Sequence, residues 1–342
     1  MKISKYYYLA VFFVAALLWS CSPDEPTPPQ NKPLIILDTD IGSSTDDLFA
    51  MELLYDYDRR GKCQLLGVIV NREGEDCAAC ADVMNNWHGF GTLPLGLVRD
   101  GIKNPKVWID YHRLPYYKLP DSTYMFRRSI ADYATLPDGW ELYRKLLSQQ
   151  PDYSVTICST GFLSCLSQLL QSEGDQYSPL NGVELVRQKV CAVYFQGGVF
   201  SESEEPDYNM TQESDCAHTF FRLFPSDVDI IFSPQEVGQM VEYVPSQVIA
   251  DIDWTDIHPI KQVYMTCDCN TGQRMWDVCA VMNAVEGDKF VLSERGKVVL
   301  TPECITVFTP ESKGNCRYQK PQDEDWAEQV LKKIRVIAQW RP

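Results

Sequence analysis

From residue 33 onward, apolar positions along the chain fall into two alternating rhythms. Leu34–Leu37 is an unbroken apolar run, the pattern of a strand buried on both faces of a parallel sheet. The next stretch changes period. Thr45 can cap a helix from Asp46 to about Arg60, with Leu48, Met51, Leu53 and Leu54 on its buried side. The same exchange repeats along the chain: a strand at 65–70, helix at 76–90, a short strand at 95–98, helix at 138–149, strand at 155–158, helix at 162–172, strand at 190–195. It continues with helix at 212–223, strand at 228–232, helix at 234–242, helix at 274–286, strands within 289–308 and an amphipathic helix at 324–338. Residues 100–137, rich in Pro and Tyr, predict a loop. Strand–helix alternation of this kind predicts an α/β fold with a doubly wound, mostly parallel sheet, Rossmann-like in plan. No internal repeat or interior linker interrupts it, so 34–342 is expected to be one domain.

The first 33 residues follow another logic. Lys2 and Lys5 precede an apolar stretch at 6–19, too short for a bilayer span of about 20 residues but suited to the core of a signal peptide. Leu18-Trp19-Ser20-Cys21 closes it and resembles a bacterial lipobox, in which the cysteine is lipidated and becomes the new N-terminus. Residues 21–33 then carry five prolines and predict an extended tether. The expectation is a signal peptide at 1–20, a lipid on Cys21 and a domain held at a bacterial cell envelope, facing the periplasm or the surface.

Charge narrows the partners. Against 31 Lys and Arg stand 47 Asp and Glu, a formal charge of −16. Loss of residues 1–20 removes two lysines and makes it −18. Such a surface repels a phosphate backbone, so nucleic acid is excluded as a partner. Apart from the lipid anchor, nothing in the sequence requires a membrane.

One acidic group stands apart from this excess. Asp38-Thr39-Asp40-Ile41-Gly42-Ser43-Ser44-Thr45-Asp46-Asp47 places four carboxylates at the end of the first strand, where doubly wound sheets bind ligands. The helix macrodipole accounts for Asp46 and Asp47. It does not account for Asp38 and Asp40, and four carboxylates so close call for a cation. Oxygen donors favour Ca²⁺ or Mg²⁺ over zinc. Phosphatases of the haloacid-dehalogenase type also open on D-x-D after a strand, but they require Thr or Val where this chain has Gly42.

The segment resembles the D-x-D-x-G-x-D-D opening of the inosine-uridine-preferring nucleoside hydrolase family, with two extra residues between Gly42 and Asp46. Further likenesses follow in family order: Gly67–Asn71, Cys158–Ser164, Gln196-Gly197-Gly198, Asp207-Tyr208-Asn209 and Met275–Val281. The resemblance implies hydrolysis of the N-glycosidic bond of ribonucleosides, with Ca²⁺ as cofactor and a dimer or tetramer as the assembly. By motif position it makes Asp40, Asp47, Asp277 and the Thr160 carbonyl the metal ligands, with Asp40 also the general base. Asp46, Asn71, Asp207 and Asn209 become ribose contacts; Asp207 stands where the family has Glu. None of His88, His112, His218 and His258 falls at the family's leaving-group position, which holds Trp276. Trp before the late Asp resembles the purine-specific subclass, in which two indoles sandwich the base. Trp108 is the candidate second wall and Trp87 a weaker one. The altered 43–45 turn and short 199–206 loop also admit a non-catalytic nucleoside- or sugar-binding lipoprotein of the same fold, or a hydrolase of another N-riboside such as nicotinamide riboside.

Cys77-x-x-Cys80 and Cys267-x-Cys269 suggest zinc, yet no second pair and no paired histidines complete such a site. Some of the twelve cysteines after Cys21 are candidates for disulfides, with connectivity left open.

Overall fold

The apolar runs become strands in the computed structural model of the chain, which describes residues 32–107, 109–203, 205–267 and 272–342. The leader, Cys21 and the proline run to Asn31 lie outside the described residues, as do Trp108 and Cys269. Strands β1 (Leu34–Thr39), β2 (Gln64–Val70), β3 (Leu95–Leu97), β4 (Val155–Ser159), β5 (Val190–Gln196) and β6 (Asp229–Ser233) are parallel, in the order β3-β2-β1-β4-β5-β6. A two-stranded ribbon, β7 (Glu242–Tyr243) with β8 (Gln273–Arg274), stands apart. The antiparallel pair β9 (Gly296–Leu300) and β10 (Thr306–Pro310) joins the main sheet through β11 (Cys316–Tyr318), which lies parallel to β6.

Among the described residues, twelve helices accompany these strands: α1 (Asp46–Arg59), α2 (Glu75–Trp87), α3 (Gly139–Ser148), α4 (Ser164–Gln171), α5 (Gly182–Lys189), α6 (Tyr208–Gln212), α7 (Ser214–Leu223), α8 (Gln235–Gly238), α9 (Pro245–Asp251), α10 (Pro259–Thr266), α11 (Trp276–Val285) and α12 (Glu324–Ala338). The two-residue period of β1 divides them. Ile35 and Leu37 pack into one core with α1, α2, α9, α10, α11 and α12. Ile36 packs into the other with α3, α4, α5 and α7. Buried apolar surface on both faces is what an uninterrupted Leu-Ile-Ile-Leu run requires.

The α/β expectation therefore holds, and with it a central parallel sheet. Several local expectations do not. The helix at 234–242 ends after Gly238, and Glu242–Tyr243 pair with Gln273–Arg274 instead. Thr45 occupies the cap position of α1 but makes no side-chain cap; its hydroxyl bonds the Tyr264 hydroxyl at 2.8 Å. The eleven described cysteines are all free thiols, so no disulfide forms among the described residues. The described residues of 100–137 are irregular, as expected, apart from two short 3₁₀ turns and an isolated bridge between Lys118 and Tyr124.

Candidate active site

β1 leaves the sheet between β2 and β4, where the winding direction reverses. Crevices beyond strand ends at such a point are the usual ligand sites of doubly wound folds. Asp38 shares the parity of Ile36, so its carboxylate turns toward α3 and accepts a hydrogen bond from the Tyr143 hydroxyl at 2.7 Å. The chain then turns through Gly42, whose φ of +113° suits only glycine. The two extra residues of this turn are held from outside: Tyr111 donates to the Ser44 carbonyl at 2.8 Å, and the Ile109 amide donates to the Ser43 carbonyl at 3.3 Å. Both residues come from the irregular stretch, where no sequence pattern marked them.

α1 begins with Asp46 and Asp47 inside the protein. Thr39 donates to Asp47, and Ser44 donates to Asp46. The Asp277 peptide N–H, at the start of α11, donates to Asp46 Oδ2 at 3.1 Å. One helix N-terminus thus binds the carboxylate that opens another, as the dipole favours. Carboxylate oxygens of Asp46, Asp47 and Asp277 lie within 4.8 Å of one another. Asp40 is outside that close trio but borders the same cleft, and its charge acts on all three.

Burial is the largest cause of the electrostatics here. It pushes Asp38 and Asp40 up to about 7 and Asp46 up to about 6. Asp47 and Asp277 rise well above the usual carboxylate range, through burial first and then through repulsion from neighbouring carboxylates. Arg72, itself buried, acts the other way and favours the ionised form of Asp40. Its guanidinium reaches Ser43 Oγ at 3.4 Å.

The cleft has a volume of about 170 Å³. Asp40, Asp46, Thr160, Asp207, Asn209, Trp276 and Asp277 line it, seven of the residues singled out from sequence. Asp207 caps α6 by accepting the Met210 amide at 3.2 Å, and burial raises it to about 6. Asn209 donates to Gln196 Oε1 at 2.6 Å. Trp276 donates from its indole N–H to the Gln235 carbonyl at 3.2 Å. Ser44, Gln196, Tyr208 and Gln235 complete the wall and were not anticipated, although Gln196 and Tyr208 lie inside motifs already noted. Asp47 lies behind the wall, against Thr39 and Asp277.

Two expected contacts are not brought to the cleft. Asn71 is fully buried, with Nδ2 on Asp38 and Oδ1 accepting the Phe162 amide at 3.1 Å, and is not among the residues that line the cleft. Trp87 stacks on Trp254, with ring centroids 6.2 Å apart, and is not a cleft wall. Trp108 is outside the described residues. Cys77 and Cys80 are buried in α2.

The donor set fits a hard divalent cation. It is all oxygen, and Asp47 Oδ2 is buried with only another acid, the Asp277 carboxyl, opposite it among the described residues. A buried carboxylate oxygen left so is costly unless a cation or proton compensates it.

No family model and no curated protein sequence matches the chain. Solved structures do. An inosine-guanosine nucleoside hydrolase matches with a TM-score of 0.65 at 14% identity, over 90% of this chain and 99% of that one. A purine-preferring ribonucleoside hydrolase from Gardnerella vaginalis matches at 0.63 and 13%, with the same coverage. The type III effector XopQ, complexed with adenosine diphosphate ribose, matches at 0.62 and 13%, over 91% of this chain and 94% of that one. The fold is the α/β fold of nucleoside hydrolases.

Proposed function

We propose that this chain is a Ca²⁺-dependent N-ribosyl hydrolase that splits ribonucleosides, purine ones by preference, into ribose and free base. The observation that carries the reading is the gathering of Asp40, Asp46, Asp47 and Asp277 around one cleft at the switch point of a nucleoside hydrolase fold. Asp40, Asp47, Asp277 and the Thr160 carbonyl would hold the ion, which when bound supplies positive charge that acidifies water and attracts vicinal hydroxyls. Asp40 accepts the proton of the attacking water, and Arg72 helps keep it ready to do so. Asp46, Asp207 and Asn209 orient ribose hydroxyls. The buried carboxylates favour the positive charge that develops on the sugar ring as the bond to the base breaks.

Trp276 offers an indole face to the departing base. Its substitution by Ala is expected to lower kcat/KM for inosine about tenfold more than for uridine. Equal losses on the two substrates would remove the purine preference. The central test is incubation with inosine, adenosine, guanosine, uridine and nicotinamide riboside, measuring reducing sugar with and without chelator. Sugar release that chelation abolishes supports the reading; binding without release assigns the chain to the non-catalytic alternative. We read residues 1–20 as a lipoprotein signal peptide and Cys21 as the lipidated residue of an envelope-bound scavenger of nucleosides. Loss of membrane association in Cys21→Ser checks that anchor.

A further inference from the structure

Asn71 and Asp38 are buried polar groups that the proposed chemistry leaves without a task, and they contact each other. Asp38 receives Asn71 Nδ2 and the Tyr143 hydroxyl on its carboxylate. Its carbonyl receives both the amide of Thr160, at 2.7 Å, and the Thr160 hydroxyl, at 3.3 Å. Asn71 in turn binds three places. Its amide N–H donates to the Thr39 carbonyl at 2.9 Å, its Nδ2 to Asp38, and its Oδ1 accepts from Phe162, two residues past Thr160. The ends of β1, β2 and β4 are joined at this point.

The join is tight. A Cβ added to Gly161 would lie 2.5 Å from the Asp40 amide nitrogen and 2.6 Å from Asn71 Oδ1. The Thr160–Gly161 turn is therefore clamped between Asp40 on one side and Asn71 on the other. A small shift of either side chain would move the Thr160 carbonyl relative to Asp40.

We propose that Asn71, acting through Asp38, is a positioning residue for the cation cradle and not a ligand for the sugar. The assignment rests on the N-ribosyl hydrolase reading, and it reverses the role that motif position alone gives Asn71. A group that orients metal ligands without touching substrate should affect cation affinity, typically 10–100-fold, and leave the substrate's KM alone. A sugar ligand should do the opposite.

The test measures Ca²⁺ affinity by calorimetry, and separately kcat and KM on inosine at saturating Ca²⁺. In Asn71→Ala the Ca²⁺ dissociation constant is expected to rise about tenfold or more, with kcat reduced and KM within about twofold of the parent. Tyr143→Phe removes one bond to Asp38 with little change of shape, and is expected to shift Ca²⁺ affinity in the same direction by a smaller factor. It carries the test if Asn71→Ala does not fold. A tenfold rise in KM with unchanged Ca²⁺ affinity would overturn the assignment, as would a Tyr143→Phe protein with parental affinity. If the parent binds Ca²⁺ but releases no base, the hydrolase reading fails, while the positioning role is still decided by the calorimetric arm. If the parent binds no Ca²⁺, both fail.

Discussion

Helix α1 carries two buried acidic clusters of opposite character. At its start, Asp46 and Asp47 receive donors from Ser44, Thr39 and the α11 peptide, and they sit beside an open cleft. Further along, Glu52 is equally buried, but neither of its oxygens has a hydrogen-bond partner among the described residues. His88 and His258 each place Nε2 3.5 Å from Glu52 Oε1, beyond hydrogen-bond length. Tyr55 and Trp340 stack on His88, Trp87 and Trp254 enclose His258, and no described cleft reaches the group. Burial raises Glu52, lowers His88 well below its usual value and lowers His258 to about 3. Burial thus disfavours charge on all three groups. Burial and displaced acidity are common to both clusters. Convergent donors and an opening are found only at the aspartates, and those features separate a site from a polar knot in the core.

Substitution should divide the two clusters sharply. Asp40→Asn is expected to lower kcat about a thousandfold while the protein stays folded, since it removes the proton acceptor; steady-state assay on inosine with circular dichroism checks this. Full activity in that variant would end the base assignment. Glu52→Gln keeps shape and burial, and is expected to leave kcat/KM within about twofold and stability within about 1 kcal/mol of the parent. A large loss of activity there would mean that the knot is coupled to the cleft.

Acidity offers a second separation, visible in thermal midpoints between pH 4 and 8. With chelator present, native Asp38 and Asp40 retain protons up to about pH 7, whereas the unfolded carboxylate, at 3.8, has released them. The native state binds more protons, so these groups lower stability as pH rises from about 4 to 7. His258 works in the other direction. The unfolded imidazole, at 6.5, takes a proton that the native one, near 3, refuses, so stability falls as pH drops below about 6.5. Saturating Ca²⁺ is expected to reduce the loss on the alkaline side, through Asp40, and leave the loss on the acid side. His258→Gln should lessen the loss on the acid side, His88 carrying the rest, and leave the alkaline side unchanged. The smallest effect concerns the turn that feeds the aspartates: Thr45→Val loses the Tyr264 hydroxyl contact and is expected to cost about 1 kcal/mol in denaturant unfolding.

Sequence revealed the parts of the molecule whose signal is local. The Leu34–Leu37 run and the acids that follow marked β1 and its end, because apolar periodicity and charge density are written in adjacent residues. What it missed depends on distant partners. Thr45 looked like a cap, but its hydroxyl is claimed by Tyr264 from α10. Asn71 looked like a sugar contact because its position in the chain fits a motif; its side chain answers to Asp38 and Phe162 instead. Strand β11 is three residues long, and only its pairing with β6 makes it a strand. The histidine knot left no sequence pattern, since Glu52, His88 and His258 come from three separate segments.

The central place of β1 also bears on the order of assembly. It is the earliest described strand in the chain, yet one of its neighbours, β4, begins only at Val155, and the helix that binds Asp46 begins only at Trp276. During synthesis the acids of residues 38–47 emerge long before the segments that enclose them, and until then they remain hydrated. A chain cut between β6 and α11 would keep six parallel strands and still lack the peptide that holds Asp46. Completion of the aspartate cluster therefore reports that the chain has folded at least as far as α11. A cation-sensitive signal would make that late step observable in a refolding experiment.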